Sequence, residues 1–140
     1  MLVSRREVEI EWGDCDPAGI VFYPRYFAMF DASTALLFER ATGMKKIAWT
    51  KKFGIVGIPM VDTRAKFIVP SRYGDVIVTE TRATRVGRAS FDVEHKVFKG
   101  DTLAIEAQET RVWAGRDPND PDGIKGMPIP EDVVRALTAD

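Results

Sequence analysis

The sequence predicts an α+β chain in which one antiparallel sheet curls around a single long helix. Three observations carry that prediction. A nearly unbroken apolar stretch between Tyr23-Pro24 and Gly43 has helix punctuation at both ends, an alternating apolar and charged segment precedes it, and further alternating segments follow it across short turns. A helix that is apolar nearly all round and a sheet with one apolar face each need cover, and wrapping the sheet on the helix covers both. Other α+β layouts meet the same demand, so periodicity alone leaves the choice among them open.

From Arg6 to Trp12, the residues Val8, Ile10 and Trp12 alternate with Glu7, Glu9 and Glu11, which predicts a half-buried strand with a charged outer face. Gly13 to Gly19 is rich in Asp, Pro and Gly, the residues that bend a chain. Tyr23-Pro24 opens the helix, because the missing N–H of proline costs nothing in a first turn, and Gly43 closes it. Between them only Asp31, Ser33, Thr34, Glu39 and Arg40 interrupt the apolar residues, so burial on most sides is expected. A weaker helical segment covers 45–53. Val61, Thr63, Ala65, Phe67 and Val69 then alternate with Asp62, Arg64 and Lys66, and Val76 to Arg85 follows the turn Tyr73-Gly74-Asp75. Ser90 to Phe98 sets Phe91, Val93, His95 and Val97 against Asp92, Glu94 and Lys96, and Lys99-Gly100-Asp101 reads as a hairpin turn into a last long strand, Leu103 to Trp113. A loop is expected from Gly115 to Pro128 and a short helix from Glu131 to Thr138. Residues 1–140 read as a single domain without internal repeats.

Composition removes several function classes. The chain is 45% hydrophobic and 29% charged with a formal net charge of -1, which lacks the basic excess of an electrostatic nucleic-acid binder. Lys45, Lys46, Lys51 and Lys52 form the densest basic run and read as a solvated face. Cys15 is the single cysteine, so no internal disulfide framework exists. No stretch has the length of a membrane span or a signal-peptide core, and a soluble cytoplasmic protein is expected.

The run Gly13-Asp14-Cys15-Asp16-Pro17-Ala18-Gly19-Ile20-Val21-Phe22-Tyr23-Pro24-Arg25-Tyr26 resembles the signature of the 4-hydroxybenzoyl-CoA thioesterase family. Gly54-Ile55-Val56-Gly57-Ile58-Pro59, Tyr73-Gly74-Asp75-Val76 and Ser90-Phe91 continue the resemblance, which extends from Glu9 to Trp113 and weakens after Gly115. It implies the hot-dog fold, an acyl-CoA substrate, no cofactor, and a homodimer or homotetramer with sites between subunits. It matches the branch whose catalytic Asp lies in this turn, which makes Asp16 the catalytic candidate and Gly19 a substrate-binding one. By the resemblance, Asp16 attacks the thioester directly to give a mixed anhydride that water hydrolyses; activation of water by Asp16 is the rival route.

The residues make chemical sense beside that resemblance. Thioester cleavage needs a nucleophile or base at the carbonyl carbon and donors where charge develops on its oxygen. Asp16 precedes a helix N-terminus, where free N–H groups near Tyr23 can polarise a carbonyl, each worth roughly 3–4 kcal/mol in a transition state. Asp14 reads as a turn-stabilising group. Cys15 is a poor nucleophile, since flanking carboxylates disfavour its thiolate. His95 falls in phase with Phe91, Val93 and Val97 and reads as a satisfied core or interface histidine, and no Gly-x-Ser-x-Gly elbow exists for a serine hydrolase. Asp14-x-Asp16-x-x-Gly19 begins like a calcium loop, but Ala18 and Arg25 stand where oxygen ligands are required, so no metal is expected. The acidic loop at Asp117, Asn119, Asp120 and Asp122 fails the same pattern at Pro128.

Asp31 is a carboxylate midway along an apolar helix, costly unless paired or solvated; it is a substrate-binding candidate, and a carboxylate satisfied by Tyr26 or a neighbouring subunit is the alternative. In the resembled family the matching position contacts a phenol hydroxyl. Ile58 stands where the resembled enzyme carries Thr, and it favours an aromatic or apolar acyl group without that hydroxyl. Arg88, with Arg85 nearby, is the expected contact for the CoA phosphates, although Gly87 and Ala89 replace two basic positions of the family. Two other classes fit the chain: a hot-dog acyl-CoA or acyl-carrier binder without turnover, and a partner in a multi-protein acyl-transfer assembly. Among enzymes, a thioesterase for short or medium acyl chains is the alternative to an aromatic one.

Overall fold

Strands form where apolar and polar residues alternate, and helices where Pro and Gly bracket an apolar run. The computed structural model describes residues 1–140. Its elements are β1 (Ser4–Glu9), a single 3-10 turn (Trp12–Asp14), α1 (Pro24–Thr42), α2 (Lys46–Phe53), β2 (Met60–Phe67), β3 (Val76–Val86), β4 (Ser90–Lys99), β5 (Thr102–Val112), β6 (Ala114–Arg116), β7 (Ile124–Gly126) and α3 (Glu131–Thr138). Five strands pair antiparallel in the order β1-β3-β4-β5-β2, and α1 packs on the inner face of that sheet. This is the hot-dog arrangement.

Pro24 occupies the first turn of α1, and Gly43 ends it in the left-handed conformation at φ 72°, donating its N–H to the Glu39 carbonyl at 2.8 Å. The helix buries Tyr26, Met29, Phe30, Ser33, Thr34, Leu37 and Phe38, one broad face at helical spacing. Burial on most sides is not observed: Ala28 and Asp31 are exposed, and Phe27, Ala32, Ala35 and Leu36 are half-covered. One sheet covers one flank of a helix, and the opposite flank of α1 stays open in the single chain.

The core divides in two along α1. One cluster gathers Leu37, Phe38, Trp49, Phe91, Trp113 and Leu137; the other gathers Tyr26, Met29, Phe30, Ile77, Val97 and Ile105. Between them lies a polar belt of Thr34, Thr81, His95, Glu109 and Arg111, every member at most 3% exposed.

Three further expectations are corrected. Trp12 does not continue the inward face of β1; it is 77% exposed, because the Asp14 carboxylate accepts the Glu11 N–H at 2.9 Å and tightens the chain into the 3-10 turn. β2 has no buried face: only Ala65 is half-buried, since β2 is the edge strand farthest from β1 and β3, the strands on which α1 packs. The stretch Gly115 to Pro128 is not all loop, for Ala114–Arg116 and Ile124–Gly126 pair as a small ribbon around the Asp- and Pro-rich turn. The hairpin at Gly100-Asp101 forms as expected, with Lys99 opposite Thr102.

Candidate active site

The turn that holds Asp16 is pinned at both ends by main-chain bonds. Cys15 and Val21 form an isolated antiparallel bridge, the Asp16 N–H reaches the Ile20 carbonyl at 3.1 Å, and the Phe22 N–H reaches the Asp14 carbonyl at 2.8 Å. Gly19 donates to the Asp16 carbonyl at 2.9 Å and adopts φ 79°, the region where a side chain is strained. A strap from the β2–β3 connection holds the turn from outside, with Arg72 Nη1 on the Gly19 carbonyl at 3.3 Å and the Val21 N–H on the Ser71 carbonyl at 2.9 Å.

Within this frame the half-buried Asp16 accepts the Ala18 N–H on Oδ1 at 2.8 Å, and its other oxygen has no protein partner. Asp14 is structural, since its carboxylate closes the 3-10 turn. At the start of α1, Pro24 has no N–H, Arg25 donates to Phe22 and Tyr26 donates to Tyr23. The free donor at this end is therefore the single main-chain N–H of Tyr23, rather than a group of several. A cavity of about 300 Å³ adjoins it, lined almost wholly by apolar groups that include Ile20, Tyr23, Tyr26, Phe67 and Val69.

Asp31 and Ile58 lie elsewhere. They line a second cavity of about 410 Å³ with Val56, Met60, Arg111 and Ile124. Met60 and Phe67 are the two ends of β2, about 23 Å apart at roughly 3.3 Å per strand residue. Asp31 is paired with Arg111, whose Nη2 lies 2.9 Å from Oδ1, and not with Tyr26. Ile58 is buried, and its carbonyl accepts from Arg111 Nη1 at 3.0 Å.

The arginines occupy a third place, the β3–β4 connection, at the same end of the sheet as Met60 and Arg111. Arg85 is engaged by Asp92 through two hydrogen bonds of 2.7 and 3.2 Å and by Ser90 at 3.1 Å. Arg88 is exposed and its side chain has no ion pair. Thus one chain brings together Asp16, Gly19 and Tyr23, brings together Asp31 and Ile58, and keeps the two groups apart.

Two charged residues of the second cavity and its support went unrecognised in the sequence: Glu109 and Arg111. Glu109 accepts from Arg111 Nε at 2.9 Å and Nη2 at 3.2 Å, and from Thr34 Oγ1. Burial works to raise the Glu109 pKa, but hydrogen bonds from His95 and Arg111 outweigh it and hold the carboxyl at about 2. His95 is the satisfied core residue that its phase implied, with Nδ1 at 2.8 Å from Thr81 Oγ1 and its ring stacked on Phe30. The signal was present, since Glu109 and Arg111 continue the inward phase of Ile105 and Ala107.

A sheet wrapped on one long helix is the fold of the hot-dog thioester hydrolases. The chain belongs to the thioesterase-like superfamily, whose family model matches residues 10–137, and within it to the 4-hydroxybenzoyl-CoA thioesterase family. It is 35% identical over 130 residues to the 4-hydroxybenzoyl-CoA thioesterase of Pseudomonas sp. (strain CBS-3), covering 89% of this chain and 90% of that one. An aspartate-to-asparagine variant of 4-hydroxybenzoyl CoA thioesterase, solved with 4-hydroxybenzoyl CoA, superposes with a TM-score of 0.86 at 32% identity, over 97% of this chain and 99% of the other. A gentisyl-coenzyme A thioesterase gives a TM-score of 0.80 at 26% identity, over 96% and 98%. The chain is thus a thioesterase. None of its helices is long and apolar enough to cross a membrane.

Proposed function

We propose that residues 1–140 form one hot-dog domain that hydrolyses an aromatic, hydroxybenzoyl- or benzoyl-like acyl-CoA to the free acid and CoA, with Asp16 as the catalytic carboxylate. The observation that carries this reading is the pairing of an unpartnered Asp16 oxygen with the unpartnered Tyr23 N–H beside an apolar cavity. The thioester carbonyl oxygen accepts from the Tyr23 N–H while the Asp16 carboxylate adds to the carbonyl carbon. Collapse of the tetrahedral adduct breaks the C–S bond, releases CoA thiolate and leaves a mixed anhydride on Asp16. Water adds to the acyl carbon of the anhydride and the acyl C–O bond to Asp16 breaks, so that Asp16 leaves as the carboxylate; one proton of the water stays on the released acid and the other goes to the CoA thiolate. The same geometry serves a general-base route in which Asp16 takes the proton of an attacking water.

The acyl end is assigned to the cavity of Asp31 and Ile58. Asp31 Oδ2 has no protein partner, so an aromatic hydroxyl can donate to it, while Ile58 supplies an apolar wall. Because that cavity and Asp16 are far apart in one chain, the complete site is assigned to a homodimer in which β2 pairs with its symmetry mate, and a tetramer forms as a dimer of dimers. Support comes from the exposed apolar residues of this edge strand, Met60, Val61 and Phe67. Arg88 remains free for the CoA phosphates, whereas Arg85 would first have to leave Asp92. A cytoplasmic setting suits the one unpaired cysteine, Cys15.

The test is Asp16→Asn, expected to fold as the wild type and to lose nearly all release of CoA thiol from benzoyl- and 4-hydroxybenzoyl-CoA. Cys15→Ser should keep most of it. Wild-type turnover in Asp16→Asn, verified free of deamidation, would reject the assignment.

A further inference from the structure

The polar belt at the centre of the core has no part in the chemistry at Asp16, and its composition is unusual. On the inner face of β5, Ile105 and Ala107 are followed in phase by Glu109 and Arg111, both at 3% exposure. Compared with well-packed apolar residues of similar volume, an intact ion pair in such a place contributes little net stability, because desolvation of both charges offsets their attraction. Its members are nevertheless held from every side. Glu109 is bound by Arg111, by Thr34 and, at 3.3 Å, by His95, and His95 is fixed in turn by Thr81 and by its 4.8 Å stack on Phe30. Four elements, α1, β3, β4 and β5, thereby determine where one guanidinium sits.

That guanidinium reaches out of the core to the wall of the Asp31 cavity. Its Nη1 donates to the Ile58 carbonyl and its Nη2 to Asp31 Oδ1, so one planar group ties the α1 carboxylate to the main chain entering β2. The Asp31 side chain is 58% exposed, and without a fixed partner it would sample several rotamers. With Oδ1 committed to Arg111, the remaining acceptor is set in one orientation. We infer that Arg111, anchored by Glu109, is a positioning residue that locks Asp31 and the Ile58 main chain into one unit and so sets the enzyme's selectivity for acyl groups bearing a hydrogen-bond donor. This rests on the assignment of the Asp31 cavity to the acyl group made above.

A positioning role and a purely structural one differ in what a substitution changes. Arg111→Lys keeps the charge but not the planar fork that reaches three acceptors at once. The variant is expected to lower kcat/KM for 4-hydroxybenzoyl-CoA roughly tenfold relative to benzoyl-CoA, chiefly through KM, as expected when a buried hydrogen bond to substrate is misplaced. In an Asp31→Asn background the same change should leave that ratio unmoved, because the two residues act through one contact. An equal loss on both substrates, or none, would overturn the inference. Asp31→Asn alone separates the two levels: if it leaves the ratio unchanged, the cavity assignment fails and the inference falls with it. If it collapses the ratio while Arg111→Lys does not, only the inference falls. Should Arg111→Lys fail to fold by circular dichroism, Glu109→Gln, which loosens Arg111 from behind, carries the same expectation. If neither variant folds, the network serves folding and the inference is overturned.

Discussion

Glu109 shows how much the surroundings of one side chain decide. Buried alone, its carboxyl would prefer the neutral form; bonded by His95 and Arg111 it stays ionised, and its pKa falls from an ordinary 4.5 to about 2. A carboxyl depressed in the folded state stabilises the fold above its unfolded pKa and loses that contribution as pH falls through the folded value. A drop from 4.5 to about 2 corresponds to about 3 kcal/mol at neutral pH. Urea unfolding of wild type and Glu109→Gln should therefore differ by a few kcal/mol at neutral pH, and the gap should close progressively below pH 4.5. The other depressed carboxyls, Asp75 held by Arg72 and Lys99, Asp92 held by Arg85 and Thr110, and Asp140 held by the N-terminal ammonium, are common to both proteins and cancel in the difference. A gap that persists unchanged into the acid range would mean that Glu109 is not the ionised partner of Arg111.

At the scale of elements, the turn between β1 and α1 depends on one backbone conformation. Gly19 sits at φ 79°, and a Cβ added there meets only Arg72 Nη1 at 3.5 Å, an ordinary contact. The cost of Gly19→Ala is thus conformational, about 1–2 kcal/mol, and thermal unfolding should register it as a modest fall in Tm. Turnover should fall by more than stability does, because the same residue carries the carbonyl that Arg72 holds and the N–H that closes the Asp16 turn. Unchanged turnover with lowered Tm would separate the turn from catalysis. This turn was legible in the sequence, as were α1 and β4, because Pro24, Gly43 and the alternation along β4 act locally. Trp12 was misread for the converse reason: its alternation with Glu9 and Glu11 was overruled by a bond from Asp14. The alternation of β2 was real, but alternation cannot say whether anything covers either face. Glu109 and Arg111 lay in the inward phase, yet their partners Thr34, His95 and Asp31 come from α1 and β4, and no local pattern connects them.

For the whole molecule, the proposed homodimer joins the two cavities at opposite ends of β2 across the open edge between them. A two-fold axis through the middle of β2, pairing the strand antiparallel with its mate, sets the Phe67 end of one subunit beside the Met60 end of the other. In the proposed dimer each Asp16–Tyr23 pair would face the Asp31 and Ile58 of the other subunit, giving two such sites. The same pairing covers Met60, Val61 and Phe67, which are 40%, 64% and 46% exposed in the single chain. Complementation tests the arrangement without breaking the interface. Asp16→Asn chains lack the proposed catalytic carboxylate, and Asp31→Ala chains lack the proposed acceptor for a hydroxylated acyl group. Each homodimer should be poor with 4-hydroxybenzoyl-CoA at low concentration. Co-expressed with different tags, the two chains form heterodimers in which one site carries both substitutions and the other carries neither. Random pairing makes half of the dimers mixed, so about a quarter of all sites are intact. Mixed protein should accordingly recover up to about that share of wild-type kcat/KM, and tandem-tag purification of the heterodimer should double it. If Asp16 and Asp31 of one chain served the same site, every site would carry one lesion, and the mixture would do no better than the average of its parents.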